Sequence, residues 1–209
     1  MEKDIKKIID SLYYFTSQDM AKFIKSENVN VYLDRYVKNK EIIRLKRWIY
    51  VSQEKINKIK SQNKFNSYLQ YITTNILISP SYLSCEYVLA QNWILIENVY
   101  SITAITTKKT NNIKNIFSNF IYQNINSKLF RWYETKKDWD FIYFQAYPEK
   151  ALIDRIRLKT DIVLSLDYFK ELRLELDNIN FKRLKEFVKK FNKKKINNAF
   201  LLLQKLKWL

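Results

Sequence analysis

Asn28, Val31, Arg35 and Lys38 recur at intervals of three and four residues, which places them on one face of a helix with Tyr32 on its flank. An Asn amide and an Arg guanidinium each make paired hydrogen bonds to a base edge, adenine for the first and guanine for the second. An outward valine, otherwise odd on a solvated face, can touch a thymine methyl. Arg44, Lys46 and Arg47 follow, set around two short β-prone runs at 42–45 and 48–51, where they would lie along phosphates. Together these side chains have the chemistry to read a duplex groove. Glu27 and Asp34 oppose it, because phosphates repel carboxylates.

Two helices must hold that face. Thr16 can cap the first, with Asp19 three residues on, and Phe15 and Met20 sit where a hydrophobic staple closes the entry turn. Met20, Phe23 and Ile24 form its apolar stripe. Ser26 can cap the second helix, whose Val29, Leu33, Tyr36 and Val37 turn toward a core while the polar row faces out. Helix, turn, helix and a basic two-stranded wing, in that order over residues 16–51, predict a winged helix-turn-helix domain spanning 1–60. The competing reading is a small α+β domain whose lysines are merely solvated.

Composition narrows the rest. The chain of 209 residues is 47% hydrophobic and 16% aromatic, ample for one or two cores. Its net charge of +17, from 38 basic and 21 acidic residues, favours a polyanionic partner. Residues 1–64 carry 15 basic and 8 acidic residues, 65–160 carry 11 and 7, and 161–209 carry 12 and 6, so the excess sits at both ends. The absence of histidine removes Ser-His-Asp and Cys-His catalysis and histidine-ligated zinc. A lone cysteine, Cys85, removes internal disulfides. The absence of glycine removes the P-loop, the dinucleotide fingerprint and the kinase glycine loop. Carboxylate-only chemistry survives on paper, but Glu134, Asp138 and Asp140 read as an ordinary polar turn. No apolar stretch is long enough to span a bilayer, and none of secretory type opens the chain, so a cytoplasmic protein is expected.

Beyond the wing, residues 52–64 read as a lysine-rich helical connector, and a second domain is expected over 61–209. A helix over 65–76 presents Tyr68, Leu69 and Ile72 on one face until Ser79 and Pro80 break it, and Ser84 can cap a short helix through Gln91. Residues 100–107 alternate and are β-branched, as a strand should be, and 117–122 and 140–145 are further strand candidates. Pro148 fits the first position of a helix, where Glu149 complements the dipole. Helices over 164–176, 181–191 and 196–209 then form a terminal bundle with a basic edge at Lys185, Lys189, Lys190 and Lys193 to Lys195, read first as a solvated face. The expected class is α+β: a winged helix-turn-helix, a central mixed α/β domain, and helices from about 148 to the end.

Three stretches, RLKRWIY from Arg44 to Tyr50, SPSYLSCEYVLAQNWILIENVYSITAITTKKT over 79–110, and YPEKALID from Tyr147 to Asp154, together resemble the AbiEi family of antitoxins from prokaryotic abortive-infection and toxin-antitoxin systems. The likeness covers most of residues 10–160, and YPEKALID is its most specific part. The resemblance implies a winged helix that binds operator DNA and represses its own operon, and a C-terminal domain needed to counter a nucleotidyltransferase-type toxin. It assigns no role to Ser84, Thr103, Lys108, Glu149, Lys150 or Asp154. YPEKALID also reads simply as a helix start with Ala151 and Leu152 buried.

Trp48, Trp93 and Trp132 stand where the family pattern has glycine. Average usage predicts about 15 glycines in this length, so their absence points to UGA codons that the source organism reads as glycine. At Lys40, another glycine position of the pattern, such misreading explains nothing, and Asn39 is expected to take the positive φ instead. The function expected is a DNA-binding antitoxin and autorepressor, not an enzyme, with no cofactor or metal. Its partners would be double-stranded operator DNA and a cognate nucleotidyltransferase toxin. The alternative is a protein- or RNA-interaction module in which the winged helix only docks.

Overall fold

A computed structural model describes residues 3–24, 28–159 and 163–208, in which the chain is α+β with helices at both ends. It divides into two compact units, 1–69 and 70–209.

In the first unit, helix α1 (Lys3–Ser11) leads to a two-residue strand β1 (Phe15–Thr16) and the single turn α2 (Ser17–Met20). Thr16 and Asp19 form the reciprocal capping box: Asp19 N donates to Thr16 Oγ1 at 3.1 Å, and Thr16 N donates to Asp19 Oδ2 at 2.9 Å. Hydrogen bonds from Thr16 hold the Asp19 carboxyl below the usual carboxylate range. Phe15 and Met20 are both buried, whereas Phe23, expected in the apolar stripe, stands half exposed because α2 ends at Met20.

Helix α3 (Val29–Lys38) follows. Ser26, expected as its cap, lies outside the described residues. Asn28 caps α3, its Oδ1 accepting from Val31 N at 3.4 Å. Leu33 and Tyr36 are buried, and Val29, Tyr32 and Val37 pack against the same core of Ile5, Ile9, Phe15, Met20, Ile24, Ile42 and Tyr50. The helix ends in a Schellman closure, with Lys40 N donating to Val37 O and Glu41 N to Tyr36 O, both at 3.0 Å. The left-handed residue is Lys40 (φ 58°), not Asn39 (φ −76°), because the closure needs that conformation at the second residue past the helix.

Strands β2 (Ile42–Lys46) and β3 (Ile49–Ser52) form an antiparallel hairpin whose register shifts between Arg44 and Lys46. The turn is Arg47 and Trp48; Trp48 was expected inside the second strand, and Lys46 ends the first. β3 lies between β1 and β2 in a three-stranded sheet. Ser52 then caps α4 (Gln53–Ser61), accepting from Glu54 N and Lys55 N. Ile56 and Ile59 bury this expected connector within the first unit, so the chain divides not there but inside helix α5 (Phe65–Tyr71).

The second unit starts from a π-helical turn, Ile72–Leu77, and a six-stranded sheet. Its strands are β4 (Ser81–Leu83), β5 (Ser101–Thr106), β6 (Asn111–Lys114), β7 (Asn119–Asn124), β8 (Tyr133–Asp138) and β9 (Phe141–Ala146), in the order β6-β7-β5-β4-β9-β8. The pairs β4/β9 and β5/β7 are parallel and the other three antiparallel. The expected polar turn at 134–140 is instead β8 and the two-residue turn of a hairpin with β9. Helix α6 (Cys85–Gln91) packs against α7 (Pro148–Leu158) and β5. Pro148 opens α7 as expected. The helix expected over 164–176 is shorter, α8 (Leu166–Glu171), followed by a 3-10 turn at Leu176–Asn178. Helices α9 (Phe181–Phe191) and α10 (Lys194–Lys207) pack on each other and on α7.

Candidate nucleic-acid interface

The buried Leu33 and Tyr36 fix how α3 is rolled. Asn28, Val31, Arg35 and Lys38 consequently all lie on its exposed face, with Val31 64% exposed despite being apolar. Their common face follows from the helical period, as the spacing predicts. Arg35 lies over the rings of both Tyr32 and Tyr36, 5.5 Å from each centroid, and the Tyr36 hydroxyl donates to Tyr32 Oη at 3.0 Å. These contacts pre-position the guanidinium, which reduces the rotamer freedom it would lose on binding. Asn28 lies on the same face, but its amide oxygen is engaged in starting the helix.

The hairpin supplies the other cations. Arg44 forms an ion pair with Asp34 and lies over the Tyr50 ring at 5.6 Å. The pair offsets Asp34, one of the two carboxylates expected to oppose a phosphate, and it also occupies Arg44. Glu27 lies outside the described residues. Lys46 and Arg47 instead border a cleft of about 650 Å3, whose walls include Thr16, Ser17, Gln18, Asn30 and Trp48. Ser17 Oγ is enclosed there and has no hydrogen-bond partner among the described residues. The Arg47 guanidinium lies 4.2 Å from the Trp48 ring centroid. Gln18 and Asn30 were missed as candidates. Gln18 sits in the first turn of α2, and the hairpin register brings the hairpin tip opposite both, which no local spacing announces.

No protein-family model matches the chain, and no curated protein matches it.

The second unit treats its polar residues differently. Lys150 and Asp154, one helical turn apart on α7, form an ion pair with both side chains wholly buried. Lys150 Nζ donates to Tyr82 Oη at 2.8 Å, and Asp154 Oδ2 accepts from the Tyr82 hydroxyl at 3.1 Å and from Ser84 Oγ at 2.9 Å. Ser84, expected as the cap of α6, is used here instead. Burial holds the Lys150 ammonium below its ordinary pKa against the pull of Asp154, and burial together with Asp154 raises that of Tyr82. A Ser, Lys, Tyr and Asp in contact could in principle move protons, but these atoms are enclosed by protein and meet one another.

Glu149 is equally committed: it accepts from Asn180 N at 2.9 Å and lies 3.5 Å from Arg183. Thr103 Oγ1 accepts from Tyr87 N at 3.1 Å and so closes the start of α6, the work expected of Ser84. Cys85 is buried, and that burial pushes its thiol well above its ordinary value. A second cleft, of about 460 Å3, is bordered by Glu86, Thr103, Gln123 and Arg155, with Arg155 Nε 3.2 Å from Glu86 Oε1. Among the described residues there is no group of three or more potential metal ligands, and no helix is long and apolar enough to cross a membrane.

Proposed function

We propose that the first unit is a winged helix-turn-helix and that the chain is a DNA-binding antitoxin and autorepressor of a toxin-antitoxin operon, acting in the cytoplasm without catalysis. The carrying observation is the outward row Val31, Arg35 and Lys38 on α3, flanked by Lys46 and Arg47 at the mouth of the cleft beside the hairpin. The order of α1, β1, α2, α3 and the β2–β3 hairpin, with β1 completing the sheet, supports the winged-helix reading. In it, α3 enters the major groove, where Arg35 reads a guanine edge and Val31 a thymine methyl. Lys46 and Arg47 hold the flanking phosphates, and Asn28 sets the start of the reading helix. Arg44 joins the phosphate contacts when it exchanges Asp34 for a phosphate.

The second unit counters a nucleotidyltransferase-type toxin in this reading, which comes from the AbiEi resemblance. A segment of that unit also favours the alternative of a partner-binding module: Ile96 and Tyr100 are both more than half exposed. A salt-dependent titration on the duplex upstream of the gene, against a scrambled duplex of equal length, separates the two. Preference for the upstream duplex that persists near physiological salt is expected of a repressor. Equal binding to both duplexes at every salt concentration refutes operator reading and leaves partner capture.

A further inference from the structure

Tryptophan is a bulky residue, and for such residues a positive φ is an outlier, because the Cβ atom crowds the neighbouring carbonyl. Yet four of the five tryptophans in this chain, Trp48 (φ 66°), Trp93 (55°), Trp132 (62°) and Trp139 (54°), are left-handed, and only Trp208 is not (φ −103°). The chain has no glycine at all.

Three of the four sit where a glycine has a specific job. Trp48 is in the two-residue turn between β2 and β3, and Trp139 is the first residue of the two-residue turn between β8 and β9, positions that favoured hairpin turns give to glycine. Trp93 is the second residue past α6. Its N–H donates to Ala90 O at 3.1 Å and the next N–H, of Ile94, donates to Leu89 O at 2.9 Å, which is the full Schellman pattern with tryptophan at the glycine position. Trp132 immediately precedes β8. Burial does not account for the choice of side chain: Trp48, Trp93 and Trp139 are 51%, 78% and 58% exposed.

We infer that positions 48, 93, 132 and 139 are glycine in the protein as its source organism makes it, each encoded by UGA and read there as glycine. Tryptophan is ordinarily encoded by UGG alone, so a chain written with UGA as tryptophan carries the indole at every such site. Lys40, Cys85 and Arg173 are left-handed as well, as are Asn63 and Asn192, but none is tryptophan and the UGA reading does not apply to them. Glycine at 48 takes the indole out of the cleft and releases Arg47 from its ring.

Two measurements test this. The gene's codons at the four positions, read together with peptide masses of the protein from its native source, are expected to give UGA and glycine at all four. UGG, or tryptophan in the native peptides, overturns the inference. Independently, the recombinant chain carrying W48G, W93G and W139G is expected to melt higher by about 2–4 °C per substitution, whereas W208G leaves the midpoint in place. A triple variant that melts at or below the tryptophan chain removes the conformational argument. Trp132 is left out of that variant because it stacks on Phe187 (5.2 Å) and Phe191 (5.0 Å), so its substitution mixes two effects.

Discussion

The first unit wears its charges outside, and the second hides some of its charges inside. On α3, Arg35 lies over two tyrosine rings and stays exposed, whereas on α7 the residues from Glu149 to Arg155 are buried. The difference teaches how to weigh a charged residue in this chain. An ion pair at the surface, such as Arg44–Asp34, contributes about 0–1 kcal/mol and can exchange partners. A pair enclosed with its own hydrogen bonds, such as Lys150–Asp154, is committed to one arrangement, and removing one member strands the other. YPEKALID thus acts as an internal strut holding α7 to β4, while the proposed reading puts the contacts with an outside polyanion on α3 and the hairpin; Lys185, Lys189, Lys190, Lys193 and Lys194 of the second unit are exposed as well.

The sharpest way to break this comparison is Asp154→Ala. It leaves the Lys150 ammonium buried without its counter-ion and is expected to cost about 3–5 kcal/mol. Hydrogen exchange should show the loss in the second unit. Replacing both partners with apolar residues, K150M with D154L, should recover most of that loss. If Asp154→Ala unfolds no more readily than the parent, the strut does not exist.

Alkaline titration gives the next largest effect. Burial raises the pKa of Tyr82, Tyr122 and Tyr143, and that of Tyr87 to about 12. For these groups the unfolded chain releases its protons first, from the ordinary tyrosine value upward. Their contribution to stability is therefore intact below pH 10 and is lost as pH rises, for Tyr87 between about 10 and about 12. Lys150, with a lowered value, acts in the opposite sense between its folded value and the ordinary lysine range. Tyrosinate absorbance followed alongside circular dichroism should show these four phenols ionising with unfolding rather than before it.

Much of this was legible in the sequence where a single residue has one physical job. Thr16 and Asp19 announced a capping box, Pro148 a helix start, and Phe181, Leu184, Val188 and Phe191 a helix with bounds that match the structure. The edge strands β6 and β8 were not legible. An edge strand exposed on one side tolerates Asn, Lys and Glu without alternation, so Asn111–Lys114 and Tyr133–Asp138 look like loops. The buried pair was missed for a related reason: Lys and Asp at i and i+4 ordinarily signal a solvated helix face. On α3 the spacing gave the outward row directly, but the contacts that occupy Asn28 and Arg44 are made by backbone and by another element, and only the fold brings them together.

The smallest effect expected is at Asp34. Asp34→Ala should change stability by less than about 1 kcal/mol. By freeing Arg44 and removing a carboxylate from the groove face, it should also tighten DNA binding and steepen its salt dependence by about one phosphate contact. Weaker binding would mean that the Arg44–Asp34 pair is part of the reading geometry.

The most direct test of the central claim is the titration of Arg35→Ala against the parent on the upstream and scrambled duplexes at matched salt. The account predicts that the preference for the upstream duplex falls by about 1–3 kcal/mol while binding to the scrambled duplex and the melting temperature stay nearly unchanged. An unchanged preference, or an equal loss on both duplexes, would contradict α3 as the reader of sequence.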